Sequence, residues 1–272
     1  MRAAAGPTIR TLGAAAACAV IVAAVAGPDA VAQGPSTASQ PQAQGATTLA
    51  ARDAAPVDMT GTWVSVVTED WQWRMRTPPA GDVASVPLNA RGLEVAGEWE
   101  PSDDGRCEAY GAGGIMRMPG RLRIGWRDDN TLTIETDAGA QTRFLRFGAG
   151  PAAGPRTPQG YSVAEWIIGG AGNLDVFTGR GDGPGRQRWG ALRVRTAHLL
   201  PGWLRRNGVP YSQDAVITEH VTRFSHPQAG DWFVVTTTVD DPRYLTQTFT
   251  TSSNFRREPD DSKWSPAPCR SR

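Results

Sequence analysis

His198, Glu219 and His220 have the residue types that acid–base chemistry needs. An imidazole changes charge near neutral pH, and a neighbouring carboxylate can orient it. Two histidines and a carboxylate also suit a metal ion, but no ligand-like spacing relates the three, and no metal is expected. Glu219 and His220 are adjacent in Ala215–Phe224, which reads as a strand, so their side chains point to opposite faces. Only a bulge would let both line one cavity. His198 and His220 share a face in some registers. No Gly-x-Ser-x-Gly context surrounds Ser212 or Ser225. Asp128-Asp129 and Asp240-Asp241 sit in turn signatures, where aspartate bonds back to nearby backbone.

A second set suits binding. Leu200–Asp214 is a long insertion between strands, where sites tend to lie. It holds Trp203, Arg205, Arg206, Asn207 and Tyr211 around Gly202, Gly208 and Pro210. Arginine beside indole and phenol suits a carboxylate, or an aromatic or sterol-like molecule. Trp71 and Trp73 alternate with Gln72 and Arg74, which places both indoles on one face. Trp71, Trp73, Trp203, Arg206 and Tyr211 are thus the expected binding residues, and the expected partner is a small hydrophobic or amphipathic molecule held in the barrel. The alternative is an isomerase, cyclase or hydratase that uses His198 or His220 as acid–base, with Tyr211 or Arg206 as oxyanion partner. The glycines of Cys107–Gly120 lack the strand, Gly-rich turn, helix order of a nucleotide loop. No cofactor is expected.

The elements that must position these residues read as strands. Ala191–Leu199, Ala215–Phe224, Trp232–Val239 and Tyr244–Phe255 form one run. Arg121–Arg127, Thr131–Thr136, Gln141–Phe147, Tyr161–Ile168 and Asn173–Thr178 form another. In Trp232–Val239 every residue is aromatic, Val or Thr, all of which suit a pleated surface. Asn89 is placed to cap a short helix running to about Trp99, with Leu93 and Val95–Ala96 inward. The fold class is therefore all-β: an antiparallel β-barrel of about nine or ten strands with one short helix, the alternative being a β-sandwich. Several strands mix apolar and polar residues on both faces, which suits an interior that holds polar groups or a cavity. No fixed-period repeat suggests a propeller.

Arg2 and Arg10 lead into an apolar run, Leu12–Ala26, and Ala30-Val31-Ala32 fits a cleavage site. Residues 1–32 read as a secretory signal, too short in its apolar part for the ~20 residues of a membrane span. Residues 33–56, rich in Ala, Gln, Ser, Thr and Pro, read as a disordered tether, and 57–272 as a single barrel domain. The expected location is periplasmic or secreted. Cys107 and Cys269 would remain after cleavage and would pair as a disulfide in an oxidising compartment. The formal charge is +1. Loss of Arg2, Arg10 and Asp29 leaves a neutral chain, with no electrostatic draw toward nucleic acid or anionic lipid.

Gly61-Thr62-Trp63, followed by Val64–Val67, resembles the opening strand of lipocalin-like (calycin) barrels, in which such a tryptophan closes the barrel floor. From Cys107 onward the motif order resembles a group of secreted, β-rich bacterial proteins of unassigned function. The matching pieces are Cys107-x-x-Tyr110-Gly111 with Met116, Gly190–Thr196, Asn207-Gly208 with Tyr211-Ser212, Thr218-Glu219-His220, and Asp241-Pro242-x-Tyr244-Leu245. This resemblance implies a β-rich fold and a secreted location, and it carries no catalytic residues.

Overall fold

A computed structural model describes residues 49–148, 150–152, 154–168 and 190–271. The expected signal, the tether as far as residue 48, the expected strand Asn173–Thr178 and the Gly/Arg loop after it lie outside the described residues. In chain order the elements begin with β1 (Gly61–Val66), α1 (Trp71–Arg74) and α2 (Ala90–Ala96). Next come β2 (Arg121–Asp128), β3 (Thr131–Thr136), β4 (Ala138–Gly139), β5 (Gln141–Phe147), β6 (Tyr161–Ile168) and β7 (Gly190–Ala197). The remainder are β8 (Gly202–Trp203), β9 (Pro210–Tyr211), β10 (Val216–His226), β11 (Gly230–Asp240), β12 (Phe249–Arg257) and β13 (Ala267–Pro268).

Nine of these strands close into a barrel in the order β1-β12-β11-β10-β7-β6-β5-β3-β2. The expected barrel is present, but its antiparallel form needs correction. A ring with an odd number of strands cannot alternate direction all the way round, so one neighbouring pair must run parallel. That pair is β5–β6, in the register Leu145↔Ser162, Arg146↔Val163 and Phe147↔Ala164. Parallel neighbours need a connection that returns to the starting end, and the link 148–160 makes that return. The sheet is thus mixed, and its other neighbours are antiparallel.

Strand alternation sends one side-chain set inward. Leu122, Ile124, Leu132, Ile134, Leu145, Leu192, Val194, Phe233, Val235 and Phe255 meet there, all buried. Trp63 is fully buried, donates Nε1–H to the Met59 carbonyl (3.0 Å) and meets Phe233 edge-on at 4.7 Å between centroids. Phe233 stacks on Phe255 at the same spacing, 4.7 Å. Toward the end where β5 begins, the inward residues turn polar: Arg143, Ser162, Thr196 and Glu219, each buried. The barrel interior, expected to hold the ligand, is instead occupied by packed aliphatic and aromatic side chains below a buried polar layer.

The same end is covered by chain. Ala109, Ile115, Met116 and Met118, from the Gly-rich segment after Cys107, join the barrel core. A second apolar cluster sits on this cap and includes Ala112, Leu199, Leu204, Val209, Tyr211, Leu245 and Phe249. Cys107 and Cys269 form a disulfide, Cα atoms 4.9 Å apart, which fastens the C-terminal segment to the cap. Beside it β13 pairs in parallel with β4.

Three local expectations change. Trp71 and Trp73 lie in α1, a four-residue helix, not in an alternating strand, so the described residues hold two short α-helices. The Asn89 side chain caps α2 by accepting from Gly92 N (2.9 Å), as expected, but Leu93 is exposed and Gly92 and Ala96 are the buried faces. The tether also ends before Pro56. Ala51 is buried, its amide donates to Asn130 Oδ1 (2.9 Å), and its carbonyl accepts Trp166 Nε1–H (2.8 Å). The described residues all belong to one compact unit.

Candidate functional site

The insertion after β7 builds one wall of a cleft on the cap. β8 and β9 pair as Gly202↔Tyr211 and Trp203↔Pro210. Their turn is closed by Leu204 N–H to the Val209 carbonyl (2.7 Å) and Gly208 N–H to the Arg205 carbonyl (3.2 Å). Gly208 has φ +79°, and a Cβ there would overlap the Trp99 side chain, so glycine serves both the turn and the close approach. Asn207 anchors the turn by donating Nδ2–H to the carbonyls of Pro79 (3.0 Å) and Asp82 (2.9 Å). At the other end of the insertion Asp241 accepts from Ser212 N (2.6 Å) and Ser212 Oγ (2.7 Å).

The cleft has a volume of about 640 Å³. Trp99, Trp203, Tyr211, Tyr244, Pro158 and Leu200 give it an aromatic and aliphatic lining. At its polar side Arg106 bonds Asp103 (2.7 Å) and Glu108 (2.6 Å) and lies over the Trp203 ring, 5.7 Å from the centroid. The bonds to Glu108, then to Asp103, hold the guanidinium above its ordinary pKa. Trp99 Nε1 is buried and has no hydrogen-bond partner among the described residues, and the Tyr211 phenol is packed against Gly111 and Gly202. Burial pushes the Tyr211 phenol up, so its proton stays on at neutral pH. Such a surface can stack a planar or aliphatic body beside one guanidinium.

Of the expected binding residues, Trp203 and Tyr211 line this cleft. Trp71 is 61% exposed and lies outside it. Trp73 is turned to a different partner: its Nε1–H donates to Asp82 (3.0 Å), and its ring lies beneath Arg205 at 4.4 Å. Arg206 donates to the Arg74 carbonyl (3.3 Å). The expected set is therefore divided between two places.

The acid–base set is not assembled. Glu219 points into the barrel, where Arg143 holds it, while His220 is exposed on the outer face, as strand alternation requires. His220 lies opposite Arg193 of β7. His198 lies beyond the end of that strand in a left-handed conformation (φ 58°), with Nε2 2.8 Å from the Gly154 carbonyl. The two histidines share no face.

Sequence reasoning missed Trp99, Arg106 and Tyr244, which reach the cleft from distant parts of the chain. A signal existed for Arg106, which has a carboxylate three residues before it and another two residues after it. Arg143 was also missed, because its partner is 76 residues away.

Among the described residues no group of His, Cys, Asp and Glu could hold a metal ion, and no described helix is long and apolar enough to cross a membrane. Set against protein-family models, curated proteins and solved structures, the chain finds no match.

Proposed function

We propose that this chain is a periplasmic or secreted binding protein that takes a small amphipathic molecule in the cap cleft. The observation that carries the reading is the pairing of aromatic walls, Trp99, Trp203 and Tyr244, with the Arg106 guanidinium in one space of about 640 Å³. A guanidinium beside aromatic walls suits an oxygen acceptor on a ligand with an apolar body. The ligand is accordingly a molecule with a flat or aliphatic body and a carbonyl or carboxylate oxygen. The filled barrel interior argues for the cleft over the barrel as the binding place. The location is supported by the disulfide, which suits an oxidising compartment, and by the leader-like residues 1–32. The motif order from Cys107 onward supports a place among the secreted, β-rich bacterial proteins it resembles.

Native mass spectrometry of protein purified directly from its host tests this reading. A retained small molecule, displaced when Trp203→Ala is introduced, is expected. Protein that carries nothing, and whose tryptophan emission is unchanged by a panel of aromatic and fatty acids, would remove it.

A further inference from the structure

Beside the cleft, four arginines converge on a second, much smaller space. Arg74, Arg117, Arg205 and Arg206 line it together with Trp73 and Leu204, and its volume is about 10 Å³. Arg74, Arg117 and Arg205 are 3%, 5% and 3% exposed. Three carboxylates answer them. Glu69 bonds Arg74, Asp70 bonds Arg117 Nη2 (2.9 Å), and Asp82 accepts Trp73 Nε1–H (3.0 Å). Four guanidinium groups against three carboxylates leave one positive charge unmatched.

That charge falls on Arg205. Its Nε, Nη1 and Nη2 are all buried without a hydrogen-bond acceptor, and its plane lies over the Trp73 ring at 4.4 Å. Arg117 Nη1 and Arg206 Nε are likewise buried and unbonded. Burial, and then the Arg117 charge, push the Arg205 pKa down to about 10, so the guanidinium stays charged at neutral pH. A buried cation with no partner is costly, and proteins normally pair it. Indole stacking offsets only part of that, on the order of 1–2 kcal/mol when desolvated.

We propose that this pocket holds a single monatomic anion, a chloride, bound by Arg205, Arg117 and Arg206. The size decides the class. A space of about 10 Å³ is near the ~10–15 Å³ that one water-sized occupant needs, so a four-oxygen anion would require the walls to move. The unpartnered polar atoms among the lining residues are all donors. A water there would meet the donors but leave the charge unmatched. A halide satisfies both.

The test uses the full chain in buffers of equal ionic strength, made up with sodium chloride, sodium bromide, sodium sulfate or sodium methanesulfonate. An anion that binds only the folded state raises the melting temperature with its concentration. The expected result is a rise in chloride and bromide, measured relative to Arg205→Gln in the same salt, that methanesulfonate and sulfate do not reproduce. Crystals soaked in bromide should show one anomalous peak between Arg117 and Arg205; this second readout needs no variant, should Arg205→Gln not fold. Equal melting temperatures in all four salts, or bromide-soaked crystals with no peak in this pocket, would overturn the proposal.

Discussion

Arg143 grips Glu219 across the barrel interior, Nη1 to Oε1 at 3.0 Å and Nη2 to Oε2 at 2.6 Å, with both side chains almost fully buried. Burial alone would lower the Arg143 pKa. The Glu219 charge and hydrogen bonds outweigh it and hold the guanidinium above its ordinary value. Thr196 and Ser162, themselves 2.8 Å apart, complete the layer, with Thr196 Oγ1 3.5 Å from Arg143 Nη2. Removing one partner strands the other charge in the core. Arg143→Met should therefore lower stability by about 3–5 kcal/mol, while Arg143→Met with Glu219→Leu should cost less than the single change. Urea denaturation of the single and double variants measures both.

The disulfide ties residues 162 apart in sequence. Cross-linking so long a loop restricts the unfolded chain, so Cys107→Ser with Cys269→Ser should cost about 2–4 kcal/mol. The loss should appear as a lower urea midpoint, and dithiothreitol should have the same effect on the wild-type chain and none on the variant.

Asp241 fastens the insertion to the turn after β11. It is 1% exposed and accepts from Ser212 N, Ser212 Oγ and Arg243 N (3.1 Å). Asp241→Ala leaves the buried Ser212 amide unbonded, which should cost about 1–3 kcal/mol. Amide exchange by mass spectrometry should show lost protection first in residues 200–215, before the barrel strands.

Asp231, in the β10–β11 hairpin, sits below the ordinary carboxylate pKa. The Ser225 hydroxyl is the main cause, with Arg223 adding to it. The unfolded chain thus takes up this proton at a higher pH than the folded one. The stabilisation is fully present above the unfolded value, about 3.9, and is lost as pH falls through the folded value. Asp231→Asn should therefore flatten the fall in melting temperature below about pH 4 without changing its direction.

Much of the barrel was legible because alternation survives where a strand has one packed face. Leu122, Ile124 and Trp126 mark β2, and Leu132 and Ile134 mark β3, at the positions their spacing predicts. What alternation does not carry is pairing order. Nothing local in Phe147 or Ala164 says that their strands run side by side in the same direction. Closure of an odd ring decides that. The Trp71–Trp73 spacing fits a strand equally well on paper, and four residues are too few to distinguish one period from the other. Leu200–Asp214 was legible as a place for a site because its turn residues and aromatics stand out from the strands. The opposite wall was not, since Trp99 and Arg106 come from one segment and Tyr244 from another, joined only by the fold. The opposite faces of Glu219 and His220 followed from adjacency alone.

The cap cleft is tested most directly by the affinity of the molecule that copurifies with the chain, measured by calorimetry for wild type and for Trp203→Ala, with circular dichroism confirming that the variant is folded. Loss of an aromatic wall should cost about 1–3 kcal/mol, a fall of roughly 5–150-fold in affinity. An affinity equal to that of the wild type in the folded Trp203→Ala chain would place the ligand elsewhere and contradict the cleft as its binding site.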